Sequence, residues 1–349
     1  MLGRLGWTPA FEDHFAPFAA DGLEPARVAV EHRGAYRLYT ARGEQPAELA
    51  GRFRHAASSR GDLPAVGDWV AVSGGETVLV DAVLPRRTAF SRMAANDHGR
   101  TVEQVVAANV DVVFLTAGLD GDLNVHRLER YLTLAWESGA RPVVVLTKSD
   151  LCDDVASAVL EVESTALGVP VHPVSNLTGE GVEALAAYFA GDRTVAALGS
   201  SGVGKSSLVN RLAGEELMPT GGLRADGRGR HTTTNRQLIL LPGGGLYLDT
   251  PGMRELRLWE SEEGLATTFD DVAAAAAQCR FSDCAHETEP GCAVRAAVAD
   301  GRLDPERLAS WRKLQGELRH LALKQDARLR SEARRQRARF ERSLRKASW

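Results

Sequence analysis

The most specific chemistry in the chain sits in Gly199-Ser200-Ser201-Gly202-Val203-Gly204-Lys205-Ser206-Ser207. These residues match G-x-x-x-x-G-K-[ST], a loop whose glycines let backbone N–H groups curl around an anion while the next helix adds the positive end of its dipole. Lys205 is placed to reach the β- and γ-phosphates of a nucleotide, and the Ser206 hydroxyl to ligate Mg²⁺. A chance Gly/Ser turn would lack the right flanks. Here Val195-Ala196-Ala197-Leu198 reads as a buried strand, and Leu208, Val209 and Leu212 share one helical face that ends near Gly214. A second cluster, Cys279-x₄-Cys284-x-His286-x₅-Cys292, gathers three thiols and an imidazole within fourteen residues. That is the donor set of a closed, tetrahedral, structural Zn²⁺ site, one ion per chain. Buried free thiols are the bland alternative, but only Cys152 lies outside the cluster, and four protein ligands leave no open position for a catalytic metal.

Two tetrapeptide-scale signals concern the base. Thr147-Lys148-Ser149-Asp150 resembles the N/T-K-x-D element of GTPases. In that element the Asp carboxylate accepts both the N1–H and N2–H₂ donors of guanine, which adenine lacks, and the lysine stem lies along the ring. Thr147 stands where Asn is commoner, so a weaker side-chain tie to the phosphate loop is expected, with base selection by Asp150 intact. Ser175-Asn176-Leu177 resembles the S-A-K/L element, whose backbone N–H meets guanine O6. Downstream, Gly229-Arg230-His231-Thr232-Thr233-Thr234 has the composition of a mobile loop, with Thr233 the expected second Mg²⁺ ligand when a γ-phosphate is present. Leu246 to Gly252 reads as a strand followed by D-x-x-G: Asp249 would hold Mg²⁺ through water, and the Gly252 N–H would sense the γ-phosphate. Met253 follows, where many GTPases have a water-orienting Gln. A thioether cannot do that work.

The elements that must position these residues follow from the rest of the chain. With 349 residues, 44% hydrophobic and 25% charged, the composition is that of an ordinary globular protein of two or three domains. No apolar run approaches the ~20 residues of a membrane span. Residues 1–15 carry Glu12 and Asp13 and no apolar core, unlike a signal peptide, so a cytoplasmic protein without membrane attachment is expected; it is further expected to act as a monomer. The formal net charge of −4 is uneven: ten Lys/Arg against three Asp/Glu make residues 321–349 +7, leaving −11 for the rest. An acidic body with a basic tail excludes nucleic-acid binding over the whole surface and leaves it open for the tail, which has seven Arg between Arg328 and Arg342.

Residues 1 to about 20 show no clear period and read as a poorly ordered lead-in. From Arg27 to about Leu84, short β-type segments alternate with Gly and Pro turns, as in a small closed barrel. Arg33, Tyr36, Arg37, Tyr39, Arg52, Phe53 and Arg54 are candidates for an RNA-facing surface, although each aromatic is individually better explained as barrel filling. A Pro85-Arg86-Arg87 junction and a Gly-containing loop follow. From Val110 on, apolar strands alternate with helices, as in a doubly wound sheet. Strands at 110–116, 142–146, 169–174 and 195–198 alternate with helices at 127–138, 155–166 and 182–189. The guanine elements therefore precede the phosphate loop, an order that marks circular permutation and is tolerated because domain termini lie close together. Helical pattern resumes from Pro305 to Leu323.

The whole set, TKSD, SNLTGEG, GSSGVGKSS, GRHTTT, DTPG and the Cys₃His cluster after an N-terminal barrel, resembles the ribosome small-subunit-dependent GTPase A family (RsgA, also called YjeQ). The resemblance spans about Arg27 to Leu323. It implies a multidomain α/β protein: an oligonucleotide-binding (OB) type barrel at 22–95, a circularly permuted P-loop GTPase domain at 100–258, and a C-terminal α-helical zinc-binding domain with the basic tail at 259–349. It also implies a late-acting assembly factor that binds the 30S subunit and its 16S rRNA and hydrolyses GTP to GDP when so bound. His231 matches a histidine associated with catalysis in that family, and Met253 its hydrophobic residue after D-x-P-G. Two other classes fit parts of the pattern. A P-loop ATPase or kinase is opposed by Asp150. A GTP-dependent rRNA-binding module with negligible hydrolysis is favoured only by Met253.

Overall fold

The computed structural model describes residues 2–32, 34–57, 59–75, 77–95, 101–219, 236–249 and 262–325. They form two compact units, Met1–Arg257 and Leu258–Trp349.

The first unit begins with a 3-10 turn at Leu2–Leu5 and helix α1 (Pro9–Ala20), not with a disordered lead-in. Pro9 occupies the first helical turn, where a missing N–H costs nothing. Phe11 and Phe15, one turn apart, are buried, and Trp7 meets Trp69 edge-on at 4.6 Å. Only Phe11 and Phe15 of this helix are buried, a stripe of two residues too short to read as an amphipathic period; docking of that stripe orders it.

Five strands then close a barrel: β1 (Glu24–His32), β2 (Ala35–Thr40), β3 (Gly43–Leu49), β4 (Trp69–Ser73) and β5 (Val78–Val83), in the order β1-β2-β3-β5-β4 with β4 returning to β1. Alternate residues Ala26, Val28, Tyr36, Leu38, Ala47, Val70, Val72 and Val80 fill it. A short helix α2 (Gly51–Ala56) links β3 toward β4. Of the candidate RNA-facing residues, Tyr36 is inside the barrel and Tyr39 bonds the Leu238 carbonyl at 3.0 Å. Arg37 and Arg52 are exposed and paired with Glu44 and Asp81. Arg33 lies outside the described residues.

The segment expected as a loop after Arg87 is instead an antiparallel ribbon, β6 (Ala89–Ala95) with β7 (Thr101–Ala108). Its alanines carry little β-propensity, so cross-strand pairing decides the outcome. Next come β8 (Val112–Gly118), α3 (Val125–Ser138), β9 (Arg141–Thr147), α4 (Val155–Thr165), β10 (Val171–Pro173), α5 (Val182–Ala186), β11 (Thr194–Gly199), α6 (Lys205–Ala213), β12 (Arg236–Leu240) and β13 (Leu246–Asp249). Strands β10-β9-β8-β11-β13 run parallel, and β12 pairs antiparallel to β13. The fully buried reading of β8 and β11 reflects coverage on both faces.

Barrel and parallel sheet are continuous. The first half of β1 pairs with β4, while Val30 and Glu31 pair with Gln237 and Arg236 of β12. Arg27 locks this seam. It is 1% exposed and donates to the carbonyls of Leu5, Gly67 and Asn109 and, at 2.8 Å, to the Thr194 hydroxyl at the start of β11. Burial pushes its guanidinium down to about 10, with nearby Asp111 opposing the shift.

The second unit holds α7 (Glu262–Thr268), α8 (Asp270–Ala276), α9 (Ala293–Ala299) and α10 (Pro305–Gln325). Leu265, Phe269, Val272, Val294, Leu303, Leu308 and Leu314 are buried in it, and Arg307 pairs with Asp271 across α10 and α8. No described helix is long and apolar enough to cross a membrane.

Candidate functional site

The phosphate-loop sequence leaves β11 at Gly199 and enters α6 at Lys205, as its flanks require. Gly204 caps the helix at φ +100°, a conformation glycine adopts without strain, and a Cβ there would come within 2.7 Å of Asn176 Nδ2. Ser201, Gly202, Ser206 and Ser207 are half-buried along the loop and the first helical turn, and Val203 is buried. The Lys205 ammonium donates to the carbonyls of Gly199 and Ser200 at 2.9 and 2.6 Å, folded over the loop it serves.

The two candidate guanine elements, residues 147–150 and 175–177, lie at the ends of β9 and β10, on the same side of the sheet as this loop. Parallel pairing makes that placement obligatory: strands running the same way end at the same edge, where α/β ligand crevices form. Asp150 is exposed, and its Oδ1 accepts from the Ser175 hydroxyl at 2.5 Å, so one element orients the other's carboxylate. Ser175 is itself held by the Thr178 N–H at 3.1 Å. Lys148 adopts a left-handed backbone at φ +59°, and Ser149 opens the 3-10 turn that presents Asp150. Leu177 is 78% exposed.

One expectation is corrected. Thr147 does not leave the phosphate loop loosely tied: its buried hydroxyl donates to the Val203 carbonyl at 2.6 Å. The short side chain succeeds because β9 ends close to the loop. Asn176 adds a second tie, from Nδ2 to the Gly204 carbonyl at 3.0 Å. Asp249 ends β13, next to β11 on the side away from β8. Gly252, Met253, His231 and Thr233, like the basic tail past residue 325, lie outside the described residues.

The sequence motifs missed the turn after β8. Its Asp120 is ion-paired with Lys148, and its Asp122 accepts from the Ser200 hydroxyl at 2.5 Å. Two acids in Leu-Asp-Gly-Asp-Leu, following a buried strand of the nucleotide sheet, were the available signal.

In the second unit, Cys279, Cys284, His286 and Cys292 place their donor atoms all within 4.8 Å of one another, so the cluster could hold one metal ion. His286 Nδ1 is 3.5 Å from both Cys279 and Cys292 sulfurs, which are 3.9 Å apart. His286 sits at φ +60°, its ring 5.5 Å from Trp311, with Arg312 donating to its carbonyl. Glu289 accepts from the N–H groups of Ala285, Glu287 and Thr288 at 2.9–3.0 Å, folding the ligand loop into a knuckle. Backbone donors, its own N–H foremost, hold the Glu289 carboxyl below its ordinary range.

Comparison with known proteins agrees with this geometry. A family model described as RsgA GTPase matches residues 83–259. A protein named small ribosomal subunit biogenesis GTPase RsgA from Opitutus terrae is 52% identical over 338 residues, covering 93% of this chain and 92% of its own. One of the same name from Streptomyces coelicolor is 47% identical, covering 96% and 91%. The crystal structure of YjeQ from Thermotoga maritima superposes with a TM-score of 0.64 at 29% identity, covering 85% of this chain and 98% of that one. YloQ, described as a circularly permuted GTPase, gives 0.59 at 23% identity and supports the fold.

Proposed function

The chain belongs to the RsgA GTPase family, and from that membership we propose that it hydrolyses GTP to GDP and phosphate while bound to the small ribosomal subunit, as a late maturation factor of that particle. The relatives' name supports the subunit; 16S rRNA as the contact surface, action as a monomer and a cytoplasmic workplace belong to the same proposal. The observation that carries the nucleotide half is the joining of three motifs at one sheet edge, where Thr147 and Asn176 bond the loop carbonyls of Val203 and Gly204.

In this reading Asp150 selects guanine, the Lys148 stem covers the ring, and residues 175–177 meet O6 through the backbone. Residues 199–207 hold the phosphates, with Lys205 on the β- and γ-oxygens. Mg²⁺, when bound with GTP, neutralises developing charge on those oxygens; Ser206 and Thr233 would ligate it directly and Asp249 through water. The Gly252 N–H senses the γ-phosphate, and His231 orients the attacking water in place of the absent Gln. The division into a barrel at 22–95, a permuted nucleotide domain at 100–258 and a metal-binding region at 259–349 belongs to the same reading.

The metal is zinc. Tetrahedral Zn²⁺ with thiolate and imidazole ligands requires edges of about 3.8 Å between sulfurs and about 3.6 Å between sulfur and nitrogen, against 3.9 and 3.5 Å between Cys279, Cys292 and His286. Cys284, whose sulfur lies within 4.8 Å of the other donors, would move in to close the shell as the fourth ligand, and the ion would then be structural.

The test is GTP hydrolysis by the full chain, alone and with purified 30S, 50S and 70S particles. Stimulation by 30S alone is expected, with His231→Ala lowering the stimulated rate on the order of 10²-fold, the scale of a positioned general base, and leaving GTP binding in place. Equal rates with and without 30S would remove subunit activation. Tight binding of the GTP-loaded chain to 30S with no hydrolysis would favour a nucleotide-set RNA-binding module.

A further inference from the structure

The turn from β8 to α3, residues 118–124, belongs to none of the recognised motifs, yet its carboxylates reach both halves of the nucleotide site. Asp120 Oδ2 pairs with Lys148 Nζ of the base element. Asp122 Oδ2 accepts from Ser200 Oγ of the phosphate loop at 2.5 Å, while Arg127 of α3 holds Oδ1 at 2.9 Å. The turn is itself fixed. The Leu119 N–H donates to the Thr147 carbonyl at 2.9 Å, and Asn124 caps α3 by accepting from the Arg127 N–H at 2.8 Å. At Gly118 a Cβ would meet the Asp120 carboxylate, so a larger residue there would push that side chain off its place beside Lys148.

Two carboxylates beside a phosphate site would repel the ligand if left free. Here each has an engaged partner: Lys148 for Asp120, and Ser200 and Arg127 for Asp122. A lysine stem that must lie along a purine gives up rotamer freedom when it does so. Anchoring its ammonium fixes the stem before the base arrives. A phosphate loop held through Ser200 is likewise preorganised.

We propose that Asp120 and Asp122 are positioning residues of the nucleotide site: Asp120 fixes the base-covering lysine, Asp122 fixes the phosphate loop, and the rigid turn between them couples base and phosphate recognition. The proposal rests on the guanine-nucleotide reading of the site above.

The experiment is equilibrium binding of fluorescently labelled GDP to the full-length chain in two double-mutant cycles, Asp120→Asn with Lys148→Ala and Asp122→Asn with Ser200→Ala. Each single variant is expected to weaken GDP on the order of tenfold, the scale of a charge-assisted hydrogen bond. Each double variant should be no weaker than the worse single one, because both changes break the same contact. Asp120→Glu should recover most of the loss. The preference for GDP over IDP should not move in Asp120→Asn, since guanine's N2 group is read by Asp150; a general loosening of the site would erode it. Thermal melts show which variants fold, and Asp120→Ser replaces Asp120→Asn if that one does not. Multiplicative losses in both cycles, or GDP binding by Asp120→Asn equal to wild type, overturn the proposal while leaving the guanine site standing. Failure of the wild-type chain to bind any guanine nucleotide overturns both.

Discussion

Thr147→Val is the sharpest probe of how the site is assembled. Thr147 is 0% exposed, and its hydroxyl donates to the Val203 carbonyl at 2.6 Å, with the Ala117 carbonyl 3.3 Å away. Valine keeps the shape and removes the donor, so no cavity term enters; the cost is a buried carbonyl without its partner, about 1–3 kcal/mol. How that cost appears depends on what the loop does when empty. Without nucleotide, the Val203 peptide can tilt toward water and recover a hydrogen bond. With phosphate bound, the neighbouring N–H groups must point at the anion and the carbonyl must face position 147 again. Most of the cost should therefore fall on binding. At 1.4 kcal/mol per factor of ten, GDP affinity should drop about 5-fold to 150-fold, while the midpoint of urea unfolding in the absence of nucleotide moves little. Thr147→Asn, which restores a donor, should bind within a few-fold of wild type. Equilibrium titration and stopped-flow release of a fluorescent GDP give both numbers. A Thr147→Val protein that binds GDP within twofold of wild type would refute the hydroxyl tie.

Asp150→Asn exchanges an acceptor for a donor facing guanine N1 and N2, and should move preference from GTP to XTP in competition binding; a variant that keeps GTP and ignores XTP would sink the base assignment. Removing metal from the second unit with a strong chelator should abolish its helical signal, since binding free energy at such sites, on the order of ten kcal/mol, is largely folding free energy. Cys284→Ala should do the same, and metal analysis finding no zinc, or a folded Cys284→Ala domain, would count against it. Arg27→Met leaves the buried carbonyls of Leu5 and Asn109 without the guanidinium, and should cost about 2–4 kcal/mol in chemical denaturation. A loss under about 1 kcal/mol would show that Arg27 does not lock the seam.

Where chemistry forces residue types into fixed spacing, the sequence could be read directly. The loop at 199–207 lies between β11 and α6 as its flanks indicate, and the four zinc-type ligands at 279–292 meet within one small cluster. The alternation of strand and helix from Val112 to Ala213 was equally open, because buried parallel strands are nearly continuous apolar runs. What stayed hidden depends on partners distant in sequence. Helix α1 is ordered by burying Phe11 and Phe15, and the β6–β7 ribbon by pairing of alanine-rich strands. Arg27 looks like any strand arginine until Thr194 is found beside it. In the sequence Thr147 reads as a weaker tie than Asn, because how near the loop passes to the end of β9 is set by the fold.

The seam between β1 and β12 also sets a timetable for folding during synthesis. Val30 finds Gln237 only after about 200 further residues have emerged, which at 5–20 residues per second takes roughly 10 to 40 seconds. All five barrel strands are available after Val83, but the far half of β1 must wait with one edge unpaired, exposed to other chains. Arg27 waits too, since Thr194 supplies its last acceptor. The barrel can therefore close early, but it becomes part of the larger sheet late. The step that completes β12 also joins the first strand made to the segment between the two candidate switch regions, so a nascent chain stalled before residue 236 would present an unfinished edge where the finished protein has none.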